Sequence, residues 1–313
     1  MGAYIFRRMV SSLITLWLVS FFSFCFIALL PGNPAEILLG EFATPEKVAI
    51  ITKQWGLDKP ILQRYGIWLW RVLHGDFGES ILSRKPTSLL VLNALPVTAE
   101  LTLLALMVAC LIGIPAGVFA AVARPSVQRI LTVIILVAQS VPSYVSALVL
   151  ILIVCIRLRW LPASGYVPFT VNPVKNLETM LLPSISLGLV ISGFLARFTR
   201  SCTLDALGED FVRTARSKGL SERRVVFKHA LRSALIPVVS LLGTQVVWFL
   251  GGAIIQETIF VLPGMGRLIV RSVMNRDYSV IQAVVLLIAV IAALTNLAID
   301  LIYGALDPRI RYE

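Results

Sequence analysis

Apolar residues fall along this chain in long unbroken runs. Six stand out: about Met9 to Leu30, Thr98 to Val122, Ile130 to Ile156, Met180 to Ala196, Leu235 to Ile255 and Val280 to Tyr303. A bilayer core of roughly 30 Å needs about 20 apolar residues in a helix, and the fourth run is the weakest of the six. None of the ten-residue alternating segments of a membrane barrel occurs. The pattern therefore predicts an all-α polytopic membrane protein with six transmembrane helices. The first run follows Arg7 and Arg8 like a signal peptide. It is about twice a typical apolar core of one, and Pro31-Gly32-Asn33-Pro34 follows it in place of a small-x-small cleavage site. It reads as a retained helix.

The polar stretches between the runs have structure of their own. In the first (31–97), Thr44-Pro45-Glu46 reads as a cap, a proline in the first turn and an acid behind it. That helix runs to about Gln54 and stops at Gly56. Leu62 to Leu73 carries Tyr65, Trp68 and Trp70, which suits either an anchor at headgroup level or a docking surface for an external partner. Between the fourth and fifth runs (198–234), Leu204, Leu207, Phe211 and Ala215 share one helical face. Lys218-Gly219 ends that helix with a cation and a left-handed glycine. Ser221 and Glu222 open a second helix, whose apolar face is Val226, Ala230, Leu231 and Ala234. So ordered a segment needs a groove, in lipid headgroups or in a cytoplasmic partner.

Composition agrees: 58% apolar and 14% charged residues, too few charges to cover a soluble globule of 313 residues. The 28 Lys and Arg exceed the 17 Asp and Glu, a net charge of +11. Nine of the 28 lie in 197–232, and others precede the first run (Arg7, Arg8), flank 124–129, or follow the sixth (Arg309, Arg311). The opposite short loops hold Arg157, Arg159, Lys175, Arg267, Arg271 and Arg276. By the positive-inside rule both termini face the cytoplasm, and the basic excess is a topology signal rather than a nucleic-acid one. The cysteines form no CxxC pair and read as small apolar fillers. His74 and His229 fall on opposite sides, so they share no metal. No HExxH or GxSxG motif supports an intramembrane enzyme, and no inverted repeat supports a secondary transporter.

Polar groups inside the spans are Glu100, Glu257 and Asp300, each close enough to an interface to be solvated, and the deeper Gln139, Ser140, Tyr144, Thr244, Gln245 and Asn296. These either bond between helices or line a path. Gln139, Tyr144, Gln245, Trp248 and Gly252 are the candidates for lining. Gly113 and Gly117 form a GxxxG, a signature of close helix packing. Pro115, Pro142 and Pro183 are possible kinks. Leu268, Ile269, Val273 and Met274 mark an amphipathic stretch, an outer gate helix or an interfacial one.

Asp210 to Leu220 followed by Leu235-Ile236-Pro237 resembles the "EAA" loop of ABC-importer permeases: a short helix, a glycine, then a hydrophobic-x-Pro element. Arg213-Thr214-Ala215 stands in place of Glu-Ala-Ala. Leu30 to Pro34, Gly56 to Pro60, Gly75 to Gly78, Glu257 to Phe260, Pro263 to Gly266, Arg276 to Tyr278 and Asp307 to Arg311 resemble the dipeptide/oligopeptide/nickel branch, in the right order over almost the whole chain. The resemblance implies the first permease of such a system, with the six-helix type I fold, both termini inside, in a bacterial inner membrane. The runs divide the chain into three parts: an N-terminal tail and first helix (1–30), an external loop with short interfacial helices (31–97) and a permease core (98–313) that includes the cytoplasmic loop 198–234. The resemblance implies a homologous second permease as heterodimer partner, two cytoplasmic ATPases and an external solute-binding protein. Glu209, Asp210, Phe211, Arg213, Thr214, Ala215, Lys218 and Gly219 would form the element that couples to an ATPase. The chain has no GxxxxGK[ST] sequence, so ATP and Mg would be bound by the partner ATPases, with no cofactor here. Peptides are the leading substrate. Nickel or a metallophore is the alternative, because the third loop is short and the chain compact.

Overall fold

The computed structural model describes the chain except residues 1, 29–33, 40–42, 55, 57 and 307–313. Arg309, Arg311, Asp307-Pro308 and Pro31-Gly32-Asn33 lie outside the described residues, as does the side chain of Asp300. The described residues are helical, with one isolated antiparallel bridge between Glu79 and Pro86. Five helices are long and apolar enough to cross a membrane, and six if a bent pair counts as one span. Two compact units are formed, Met1–Val97 with Pro263–Leu297, and Thr98–Leu262 with Ala298–Glu313.

In the first unit, α1 (Gly2–Ala28) is the first span, and α2 (Pro34–Leu39) and α3 (Pro45–Gln54) follow. Thr44 caps α3 as expected, its Oγ1 accepting from the Lys47 amide at 3.4 Å, and Gly56 beyond it takes a left-handed φ of +65°. Helix α4 (Ile61–Leu73) packs on α1. Tyr65 is buried against Phe21 and Phe24, its hydroxyl 2.8 Å from Ser20 Oγ, while Trp70 stays two-thirds exposed beside His74. Tyr65 of the aromatic cluster therefore serves intramolecular packing, and Trp70 is left on the surface.

Helix α5 (Thr87–Val122) begins eleven residues before the expected Thr98, inside what reads as external loop. Its start is held by the 78–87 turn. The Thr87 amide donates to Gly78 O at 2.9 Å, and buried Asp277 accepts from Ser80 Oγ at 2.6 Å and the Ile81 amide at 3.2 Å.

In the second unit the expected third span is two helices. They are α6 (Pro125–Ser140) and α7 (Ser143–Leu150), and the latter continues through a π-helical turn to Arg157. The two halves are bent by 94° at Pro142. Val141 is extended, the conformation favoured before a proline, and a proline N–H is missing from the ladder. Helix α8 (Pro173–Gly208) is far longer than the weak run at Met180 to Ala196, and it is the most buried of the long spans. Its serines lower its apparent hydropathy, yet Ser184 and Ser192 donate to their own helix's Met180 O and Leu189 O, which makes them tolerable in a membrane. Glycines set the contacts around it. A Cβ on Gly113 or Gly117 would fall 2.8 Å from Ser192 O or 2.5 Å from Ala196 O, and one on Gly188 2.7 Å from Ala105 O. The GxxxG of α5 is therefore a seat for α8.

The chain continues through α9 (Asp210–Ser217), α10 (Glu222–Arg224), a second π-helical turn (Val225–Ala230) and α11 (Leu231–Ile259). Back in the first unit, α12 (Met265–Met274) buries Met265 and packs Leu268 and Ile269 against Val91, Ala94 and Val284, leaving Val273 and Met274 exposed. The last span, α13, covers Tyr278–Leu306.

Candidate functional site

The 209–234 segment is built on a small apolar core. Ala206, Val212, Ala215, Val225, Ala230 and Ala234 are buried together, with Cys202, Leu207 and Leu220 packed against them. Val212 and Ala215 are the inward residues of α9. The apolar face expected from Leu204, Leu207, Phe211 and Ala215 is corrected at two members: Leu204 is exposed at the end of α8, where Thr203 and Ala206 take the inner positions, and Phe211 is exposed on α9. The helix breaks at Glu209, which resets the phase, so Phe211 turns outward at 42% exposure and Val212 takes the inner position. Glu209, Asp210, Arg213, Thr214, Lys218 and Gly219 are also exposed, and Ala215 is the one buried member of the candidate set. The outer surface of α9 is therefore acidic at its N-terminus, basic at its C-terminus, with one exposed phenyl ring between. Asp210 in the first turn and Arg216 in the last favour the helix dipole, and Arg213 pairs with Asp210 at 3.4 Å.

Gly219 ends the helix in the left-handed region, φ +74°. Its amide donates to Arg216 O at 2.9 Å, and the Leu220 amide donates to Ala215 O at 3.3 Å. A Cβ there would meet nothing within 4 Å, so the requirement for glycine is conformational alone. Ser221 occupies the cap position of the next helix, but its side chain makes no capping bond. Glu222 instead reaches back across the turn to Arg216, whose Nε donates to its Oε1 at 2.8 Å. That bond and the carboxylate charge raise the pKa of the guanidinium. Residues Glu222–Ile259 form one continuous 38-residue helix.

The candidate path residues are not gathered in one place. Gln139 lies in the α6–α8 contact, its Cβ 3.2 Å from where a Cβ on Gly193 would stand. Gly252 faces Leu187 of α8, whose Cδ1 would be 2.7 Å from an added Cβ. Tyr144 and Trp248 are 48% and 74% exposed, and Gln245 is half-buried on the same helix as Trp248.

One of the two outer carboxylates differs from expectation and one does not. Glu257 is fully buried rather than solvated, and accepts from Thr98 Oγ1 at 2.5 Å. Glu100 accepts from the Tyr166 hydroxyl at 2.9 Å. Burial first, then that hydrogen bond and the carboxylate charge, push the Tyr166 phenol up to about 12. Gln256, which the sequence did not single out, is fully buried beside Glu257; its signal was only a polar residue in the last turn of a span.

Two family models match the chain. Residues 113–312 match the binding-protein-dependent transport system inner membrane component, and residues 1–102 match the N-terminal membrane component of such systems. A peptide transport system permease protein of Brucella abortus (strain 2308) is 38% identical over 314 residues, spanning 100% of both chains. The glutathione transport system permease protein GsiC of Salmonella typhimurium is 40% identical over 311 residues, 99% of each. The inward-facing methionine ABC transporter MetNI has a chain that superposes with a TM-score of 0.59 at 18% identity, covering 70% of this chain and 96% of that one. At that identity the likeness speaks for the fold. The family models and full-length relatives agree with the helical spans, and the chain belongs to the binding-protein-dependent transport system inner membrane components, as a non-catalytic ABC importer permease that works with an ATPase and a binding protein.

Proposed function

We propose that this permease serves an importer of short peptides, glutathione-like tripeptides included. The observation that carries the reading is the end-to-end match, at 38% and 40% identity, to permeases named for peptides and for glutathione. Those relatives are not named for nickel, so the metal alternative rests on loop length alone.

The outer surface of α9 supports a coupling role for Glu209, Asp210, Phe211, Arg213, Thr214, Lys218 and Gly219, with Ala215 as internal support. A rigid helix seated in an ATPase cleft follows the cleft when ATP closes it. Helix 222–259 then carries that movement across the membrane. Tyr144, Gln245 and Trp248 are side chains available to line the path in a complex with a homologous second permease. Gln139 and Gly252 serve packing. Two ATPases would hold ATP and Mg, and this chain would hold neither. Both termini would face the cytoplasm.

The test is uptake by the complete importer in proteoliposomes, with its binding protein outside and ATP inside. Labelled di- and tripeptides should accumulate and nickel should not. Nickel uptake without peptide uptake would reverse the assignment.

A further inference from the structure

Helix α11 ends its continuous run next to the break in the third span. Gln256, in its last turn, is fully buried and ties three helices at once. Its Oε1 accepts from Ser186 Oγ on α8 at 2.8 Å, and its Nε2 donates to Ser143 O at 3.2 Å. Ser143 is the first residue of α7, immediately past Pro142 and the 94° bend. A backbone carbonyl can only accept, so Ser143 O fixes the orientation of the amide and turns its oxygen to the Ser186 hydroxyl, whose proton is shared with Pro183 O at 2.9 Å.

Both halves of the bent pair rest on α8, and the second half also packs on α11. The first half, α6, rests on α8, where a Cβ on Gly193 would fall 3.0 Å from Ile135 O and 3.1 Å from Gln139 N. The second half begins at the carbonyl held by Gln256 of α11. Helix 222–259 is about 57 Å long at 1.5 Å per residue. It starts three residues past Gly219, and ends at this hydrogen bond.

We infer that Gln256 is a positioning residue of the transport cycle: it makes the half-helix Ser143–Arg157 follow α11, so that movement at the coupling turn swings that half about Pro142. The inference rests on the coupling role proposed above for α9. An apolar side chain at 256 would pack in the same space, but would leave Ser143 O without its donor and α7 held to α11 by apolar packing alone.

The test uses the complete importer in lipid nanodiscs. The four cysteines are replaced by alanine, and spin labels are placed at Leu148→Cys on α7 and Leu177→Cys on α8, sites 55% and 51% exposed. The distance between labels is measured by double electron–electron resonance without nucleotide and with ATP trapped by vanadate. With Gln256 present the distance should change by about 2 Å or more. Gln256→Leu should abolish most of that change and lower substrate imported per ATP about tenfold, as for one or two unmade buried hydrogen bonds, while hydrolysis continues. An unchanged distance with Gln256 present, or the same change in Gln256→Leu, overturns the inference. If Gln256→Leu fails to assemble, Gln256→Met removes the donor to Ser143 O with a smaller change of shape; a label movement and an import-to-ATP ratio identical to those with glutamine would overturn the inference equally. The label distance does not depend on the cargo. A failed peptide assay therefore counts against the substrate reading alone.

Discussion

At the scale of single residues, Gly219 shows what kind of constraint the coupling turn imposes. Its left-handed φ of +74° and the open space around its missing Cβ separate backbone strain from steric clash. Asparagine tolerates that region and valine does not. Gly219→Asn should therefore keep import coupled to hydrolysis. Gly219→Val, strained by about 1–3 kcal/mol, should hydrolyse ATP with little import. Equal behaviour of the two variants in proteoliposomes would show that the turn's conformation is not what matters. The glycine was legible in the sequence because a cation followed by glycine after an amphipathic run has one common use. Gln256 was not legible, because nothing local distinguishes a buried tie between three helices from a polar residue at a span's end.

Tyr166 gives a pH dependence. Its phenol is raised above the ordinary 10 to about 12, so the protonated form is the one the fold favours. The stabilisation is complete below pH 10. Above it the unfolded chain ionises first, and the contribution is lost as pH rises toward about 12. In detergent solution the stability difference between the parent and Tyr166→Phe should be flat to pH 10 and shrink above it. A difference that grows with alkaline pH would contradict the Tyr166–Glu100 bond.

At the scale of elements, α9 separates support from contact. Val212 is wholly buried and Phe211 is 42% exposed one residue earlier. Phe211→Ala should leave thermal stability of the isolated permease unchanged but weaken its association with the ATPase. Val212→Ala removes two buried methyl groups and should destabilise the local core by about 1–2 kcal/mol. Pull-down of the ATPase and melting of the purified permease check both. If instead Phe211→Ala melted earlier and still bound the ATPase, the inward and outward assignments would be exchanged. Periodicity alone placed Phe211 on the inner face, because it treated Leu204 through Ala215 as one helix. The break at Glu209 shifts the register, and no proline or glycine stands at Glu209 itself to announce it; Gly208 just before it was the available hint. The opposite happened at Pro142. The sequence contained the breaker, but an apolar run from Ile130 to Ile156 counts as one span by length, whereas the chain turns by 94° inside it. Run length reports how much chain lies in an apolar phase; it does not report its direction there.

At the scale of the whole molecule, orientation in the membrane follows from where the arginines and lysines lie, and it can be measured without knowing the substrate. Lys85 lies in the 78–87 turn pinned by Asp277, and Lys218 at the end of α9; both are exposed. If the segment rich in Lys and Arg is cytoplasmic, an odd number of crossings away from the first loop, the two lysines face opposite compartments. Each is changed to cysteine in turn, with the four native cysteines replaced by alanine. Intact cells are treated with a membrane-impermeant maleimide, and so are inverted vesicles. Lys85→Cys should react in cells and be protected in inverted vesicles, and Lys218→Cys should do the reverse. Reaction of both from one side would mean an even number of crossings between residues 85 and 218. The bent pair α6–α7 would then be a re-entrant element that returns to its own side, since α5 and α8 already supply two crossings between these positions. The opposite-side result requires α6–α7 to count as the third crossing, and so makes the 94° bend a break within a span.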